Sequence, residues 1–295
     1  MNIYGAISAN KWKTWIIMSL FVVFIATLVY VMSKAFGLNA LSITGISLVL
    51  AGFMSIGSFY YSDKLVIATS GAKLIKKEEY PKFYRTVENL AIGAGLPLPK
   101  IYVIEDRSPN AFATGRDPKH AVVAASTGLL DIMNDTELEG VIAHELSHIK
   151  NYDIRLAGVI AVLVGFVAIL SDLFIRMTFF RDSDDNKGNA IFLIIAIVLA
   201  ILSPIAASLI HLAVSRKREL LADASGVLLT RYPEGLASAL EKLKNDHTPP
   251  KTASNATAHL FIENPFDNKK VKNMFTGLFN THPPLEERIK ILRSM

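Results

Sequence analysis

The chain has no cysteine among its 295 residues. Disulfides, thiolate metal ligands and a cysteine nucleophile are therefore excluded, and any metal must be held by histidine and carboxylate side chains. Charge is missing over two long stretches, between Lys13 and Lys34 and between Lys34 and Asp63. Each stretch can cover a hydrocarbon core of about 30 Å. With 51% hydrophobic residues and a mean hydropathy of +0.36, the composition is too apolar for an ordinary soluble globule and points to a membrane protein.

A third apolar segment runs over 156–175, interrupted by Asp172, and a fourth over 190–214, containing Pro204. The first segment exceeds the apolar core of a signal peptide and is followed directly by the second, so an uncleaved hairpin is expected. Lys11, Lys13, Lys64, Lys73, Lys76, Lys77, Arg216, Lys217 and Arg218 flank the spans on the side that should be cytosolic. Arg176, Arg181 and Lys187 lie in the loop between segments three and four, where Asp182, Asp184 and Asp185 offset them. Juxtamembrane basic residues facing an anionic leaflet account for the net charge of +5, and no nucleic-acid motif is present.

Four blocks follow: a membrane hairpin (1–63), a polar block (64–153), a second membrane or membrane-associated hairpin (154–214) and a C-terminal polar block (215–295). The first polar block predicts a helix over 80–92, stopped by Gly93-Ala94-Gly95, then short strands over 101–104 and 121–125 with a third strand or edge over 110–114. A small sheet beside a helix over the 130s and 140s is the expected packing. Its edge can receive an extended peptide by strand addition, although an ordinary sheet edge has the same pattern. In the last block, 218–229 and 234–244 predict helices, 247–280 a surface lobe without periodicity, and Pro283-Pro284 the start of a final helix.

The chemistry sits in His144-Glu145-Leu146-Ser147-His148. On a helix the two imidazoles fall on one face, one turn apart, and can share a metal ion, while Glu145, about 100° round the helix, can reach water on that ion. Asn134 or Asp135 can cap this helix, and Leu138, Val141, Ile142, Leu146 and Ile149 give it a core-facing stripe. Metal-assisted hydrolysis is the reaction suggested. A catalytic zinc needs a third protein ligand, and Glu219 is the best candidate, with Asp223 four residues on able to orient a liganding histidine. Taken alone, Glu219 reads more readily as a solvated helix residue and Asp223 as a surface acid; the need for a ligand and the four-residue spacing reverse that. His282 can act as a donor to a developing oxyanion, with Arg288 positioning it, or be a loop histidine before two prolines. His211 can face the site or sit at the membrane interface, and His120, His247 and His259 lack ligand spacing.

Together with H-E-L-S-H, the runs P-N-A-F-A-T-G (109–115), S-R-K-R-E-L-L-A-D (215–223) and H-P-P-L-E-E-R-I (282–289) resemble the HtpX-type membrane zinc metalloproteases. The resemblance covers nearly the whole chain, including the four apolar segments. It implies a mainly α membrane protein of about four transmembrane helices, with an α+β zincin-like (gluzincin) catalytic domain carrying a small sheet. It also implies one Zn2+ held by His144, His148 and Glu219, with Glu145 and His282 catalytic and Asp223 and Arg288 behind the ligands. Asn110, Ala111, Phe112 and Ala113 become the expected substrate-binding strand. Implied too are unfolded or membrane-protein substrates, a role in protein quality control, and a place in the bacterial inner membrane with the catalytic domain and both termini cytosolic. The rival classes are a non-catalytic zinc-binding scaffold, for which Glu145 has no use, and a transporter, for which the spans carry too few ionisable residues.

Overall fold

A computed structural model of the chain describes residues 3–35, 39–179, 216–251 and 283–295. Two long helices come first, α1 (Ile3–Ala35) and α2 (Ala40–Ser70). Both are long and apolar enough to cross a membrane, over Ile7–Tyr30 and Ala40–Ser70, and most of their surface faces outward, unlike the buried core helix of a soluble protein. Leu41 is 82% and Phe53 70% exposed, a cost that lipid removes and water does not. α2 is capped by Asn39, whose side chain accepts from the Ser42 amide, and ends at Gly71 in the left-handed conformation that glycine adopts without strain.

The polar block then folds as the periodicity predicts. Strand β1 (Lys73–Leu74) leads to α3 (Pro81–Ala94), closed by left-handed Gly95, and on to β2 (Lys100–Ile104), β3 (Ala111–Gly115) and β4 (Ala121–Ser126). The four-stranded sheet has the order β1-β2-β4-β3 and is mixed: β2 and β4 run parallel, the outer pairs antiparallel. The two-residue β1 has too little pattern to be legible in the sequence. β3 is an edge strand, paired with β4 on one side only, with Ala111 opposite Ala125 and Ala113 opposite Val123.

After the short α4 (Thr127–Ile132) comes α5 (Asp135–Lys150), the helix that carries His144 and His148. Asn134 is its cap: the Asn134 side chain accepts from the Glu137 amide at 2.9 Å, and the Glu137 carboxylate accepts from the Asn134 amide at 2.8 Å. This reciprocal box satisfies two otherwise orphaned donors. Leu138, Val141, Ile142, Leu146 and Ile149 are all buried in the main core with β2–β4, α3 and the C-terminal helices.

Helix α6 (Asp153–Phe179) starts three residues after α5 ends and contains the third apolar segment. Its Leu156, Val159, Ile160, Leu163 and Val164 pack on Ile17, Met18 and Phe21 of α1, and its Gly158 lies where a Cβ would meet Ser62 of α2 at 3.0 Å. Small residues at such crossings let helices approach closely in an apolar medium. Val66 of α2 and Ala161 of α6 close a further cluster with Ile104, Phe112 and Ala124 of the sheet, so the membrane helices and the polar block share a seam. The fourth apolar segment lies outside the described residues.

The C-terminal block supplies α7 (Arg216–Thr230), α8 (Pro233–Asn245) and α9 (Leu285–Arg293). α5 packs on α7 and α8, and α9 packs on both of those. Two glycines allow the close crossings: a Cβ on Gly140 would sit 2.6 Å from the Leu236 amide nitrogen, and one on Gly226 would sit 3.1 Å from the His144 amide nitrogen. Neither neighbour is a side chain that can swing aside. Gly140→Val is expected to lower stability by about 3 kcal/mol, read as a drop of several degrees in the thermal midpoint of the detergent-purified chain. Gly52→Ala, where a Cβ meets nothing within 4 Å, is the control expected to leave the midpoint unchanged or raised.

Candidate metal centre

The i, i+4 spacing on α5 stacks the His144 and His148 rings edge to face, with centroids 4.7 Å apart and the two Nε2 atoms 3.1 Å apart. α7 crosses close enough for Glu219 to complete a triangle: its Oε2 lies 3.7 Å from His144 Nε2 and its Oε1 3.6 Å from His148 Nε2. A tetrahedral ion with ligand distances of about 2.0–2.1 Å separates its donors by about 3.3 Å, so the triangle has the size of a divalent-cation site. The three side chains each offer one ligand atom within 4.8 Å of the others.

Each imidazole is oriented from behind. His144 Nδ1 lies 2.8 Å from Asp223 Oδ1 and His148 Nδ1 lies 3.0 Å from Asp153 Oδ2. A carboxylate only accepts, so each Nδ1 carries the hydrogen and each Nε2 lone pair turns towards the shared space. Two lone pairs facing each other at 3.1 Å repel unless a cation or proton stands between them. The donor set therefore fits a metal.

Charge leads to the same result. Among the described residues, Glu145, Asp153, Glu219 and Asp223 are buried together with two guanidinium groups, Arg218 and Arg288. With neutral histidines these six residues leave two uncompensated negative charges, which one divalent cation balances. The same field draws protons: burial disfavours a charged His144, but hydrogen bonds to Asp223 and Glu219 outweigh it and raise its pKa to about 10. For His148 burial again opposes charge, and the hydrogen bond to Asp153 with the Glu219 charge raises it. Protons and a cation thus compete for one place.

Arg288 of α9, 1% exposed, grips Asp223 with two parallel hydrogen bonds, Nε to Oδ2 at 2.8 Å and Nη2 to Oδ1 at 2.6 Å. Burial pushes the Asp223 carboxyl up, yet the Arg288 charge and the His144 hydrogen bond bring it down to about 2. Arg288 Nη2 also approaches His144 Nδ1 at 3.4 Å. Both are donors, so this is a packing contact. Arg288 thus stands with Asp223 behind the ligands; His282, the other partner expected for it, lies outside the described residues, as do His211 and His259.

Glu145 is buried on the sheet side of α5. The Ala113 amide donates to its carboxylate, and burial raises its pKa above the ordinary carboxylate range. Strand parity explains the donor. Asn110 faces β4, its carbonyl accepting from the Ser126 amide at 2.8 Å, so Ala111 and Ala113 turn their amides and carbonyls to the free edge while Phe112 turns its own to β4. Asn110, Ala111, Phe112 and Ala113 are all buried alongside.

Asp153 and Arg218 were not singled out from sequence. Asp153 follows His148 by five residues, and its return to the ring needs Tyr152 at a left-handed φ of 59°. No helical spacing rule signals that turn. Removing the Arg288 charge while Asp223 stays buried is expected to cost about 3–5 kcal/mol. Arg288→Met should therefore lower the unfolding midpoint clearly, whereas Arg293→Met, which removes only an exposed pairing with Glu234 and Glu241, should change it little.

The sequence profile of peptidase family M48 matches residues 77–295. A protein named as a protease HtpX homologue from Dictyoglomus thermophilum is 47% identical over 292 residues, covering 99% of this chain and 94% of the relative. One from Tropheryma whipplei is 44% identical over 297 residues, covering 99% and 98%. Among solved structures, the Ste24p crystal structure from S. mikatae shares the fold, with a TM-score of 0.50 and 20% identity over 95% of this chain and 66% of that one. Identity at this level over nearly the full length leaves one assignment: the chain belongs to peptidase family M48, among its HtpX-type membrane metalloproteases.

Proposed function

We propose that the chain is a zinc-dependent endopeptidase that cleaves unfolded or damaged membrane proteins at the cytosolic face of a bacterial inner membrane. The observation that carries this is the triangle of buried His144 and Glu219 and half-buried His148 beside Glu145, itself hydrogen-bonded to the edge of β3. A bound zinc ion supplies Lewis acidity, which polarises a peptide carbonyl and acidifies water. Zinc is favoured over harder ions by a donor set that, among the described residues, is two imidazoles and one carboxylate.

Glu145 is the proton carrier. It takes a proton from the attacking water as the new carbon–oxygen bond forms and gives it to the departing amide nitrogen as the carbon–nitrogen bond breaks. Burial suits it to the first half, because a carboxyl held above the ordinary range takes a proton more readily, and the departing amine is a strong enough base to draw that proton off again. Asp223 and Asp153 keep the imidazole lone pairs aimed, and Arg288 keeps Asp223 ionised while it does so.

The outer edge of β3 offers an extended peptide the amide and carbonyl of Ala111 and the carbonyl of Ala113, the Ala113 amide being held by Glu145. Binding through the main chain reads little sequence, as a protease for unfolded chains requires. Proximity to the bilayer is supported by the connection: α6 begins five residues after His148 and packs at once between α1 and α2. The basic flanks argue for a cytosolic site by the positive-inside rule. His282, just before α9, is proposed as the donor that stabilises the developing oxyanion.

Glu145→Gln is expected to bind zinc at the wild-type level and to lose cleavage of an unfolded protein by a factor of about 10³ or more. Glu219→Ala should lose zinc itself, measured by metal analysis of the detergent-purified chain. Full cleavage by Glu145→Gln would overturn the assignment of the proton carrier. Chelation should abolish cleavage by the wild type and lower its unfolding midpoint, and zinc should restore both.

A further inference from the structure

Asn10, in the first membrane helix, is 2% exposed and is joined to the candidate metal centre. Its Nδ2 donates to Asp153 Oδ1 at 2.7 Å and to the Asn151 carbonyl at 3.0 Å. Both partners are oxygens, so only the nitrogen end of the amide can face them, and its two hydrogens match the two acceptors. Asp153 Oδ2 is the atom that meets His148 Nδ1 at 3.0 Å. One carboxylate therefore bridges α1 to the imidazole.

The turn beneath this bridge is held by the same helix. Tyr152 keeps its left-handed φ of 59°, a conformation that is strained for a residue other than glycine. Lys11 Nζ lies 4.4 Å from the Tyr152 ring centroid on one contact and the Arg155 guanidinium 4.9 Å on another. Arg155 is itself anchored by Nε donating to the Arg116 carbonyl at 2.6 Å. Consecutive residues Asn10 and Lys11 thus clasp the consecutive residues Asn151 to Asp153.

We infer that Asn10 is a positioning residue for His148, acting through Asp153, so that full metal affinity requires α1 to be docked on the turn between α5 and α6. The inference rests on the metal reading given above. With Oδ1 tied to Asn10 and Arg218 Nη1 at 3.6 Å, rotation of the Asp153 carboxylate is blocked and Oδ2 stays directed at the ring. Without the amide the carboxylate gains freedom, the Nδ1 hydrogen loses a fixed acceptor, and the Nε2 lone pair is no longer held towards His144 and Glu219. Nothing here touches substrate. The coupling joins insertion of the first span to readiness of the site, which would hold an unseated chain weakly loaded.

The test is zinc competition with a chromophoric chelator, on full-length chain in detergent, for the wild type, Asn10→Leu, Asp153→Ala and the double variant. Asn10→Leu is expected to weaken zinc binding about tenfold, the low end of the loss found for outer-shell partners, and to shift the visible bands of the cobalt-loaded chain. The double variant should bind no more weakly than Asp153→Ala alone, because the two residues act in series. A packing defect remote from the ligands would leave the cobalt bands in place and add to the Asp153→Ala loss. Unchanged affinity in Asn10→Leu, or additive losses in the double variant, would overturn the inference. If Asn10→Leu fails to fold, Asn10→Ser enters the same cycle with the same two expected outcomes. Zinc affinity of the wild type that is indifferent to Glu219→Ala would overturn the metal site itself, and the Asn10 proposal with it.

Discussion

Two imidazole lone pairs are held face to face at 3.1 Å inside a pocket with excess negative charge, and the rest of the molecule is arranged to maintain that. Left alone, such an arrangement relaxes by ring rotation or protonation. Here rotation is blocked, Asp223 fixing one ring and Asp153 the other, each through Nδ1, so a proton or a cation must fill the space between them. Each carboxylate is fixed in turn, by Arg288 from the last helix and by Asn10 from the first. Elements from the two ends of the chain thus converge on one turn of α5.

That convergence needs close helix contacts. α5 is capped at Asn134 and buried along its apolar stripe, so its ligands cannot shift relative to the core. Gly226 lets α7 approach the backbone at His144, which brings Glu219 within reach. Buried acids of this kind weaken a fold unless they are paired, and the placing of Arg218 and Arg288 among them limits that cost. A divalent cation removes what remains, so metal binding and folding are coupled.

Beside the ligand triangle, the edge strand and the acid serve one another. The Ala113 amide points outward because strand parity sends the Asn110 and Phe112 main chain to β4, and it meets Glu145. A peptide lying along β3 would therefore run past the proposed proton carrier. The same strand packs against α6, so the edge strand lies beside the long apolar helices.

Local signals decided much of this. The charge-free stretches specified α1 and α2, the Asn134 and Glu137 pair specified the start of α5, and His144, Glu145 and His148 announced their chemistry because helical spacing alone puts two of them on one face. Glu219 and Asp223 were legible for the same reason, four residues apart on a helix, and α3, β2 and β4 followed from short periodic runs. The site roles of Asp153, Arg218 and Asn10 were not legible, nor was the paired grip of Arg288 on Asp223. Their roles depend on a left-handed Tyr152 and on helices far apart in sequence packing at particular crossings. Sequence by itself determined which residues can bind a metal and which segments can enter a membrane, since both depend on composition and on periods within one element. Only the tertiary structure decided what stands behind each ligand, because such partners are chosen by packing between elements and leave no spacing to read.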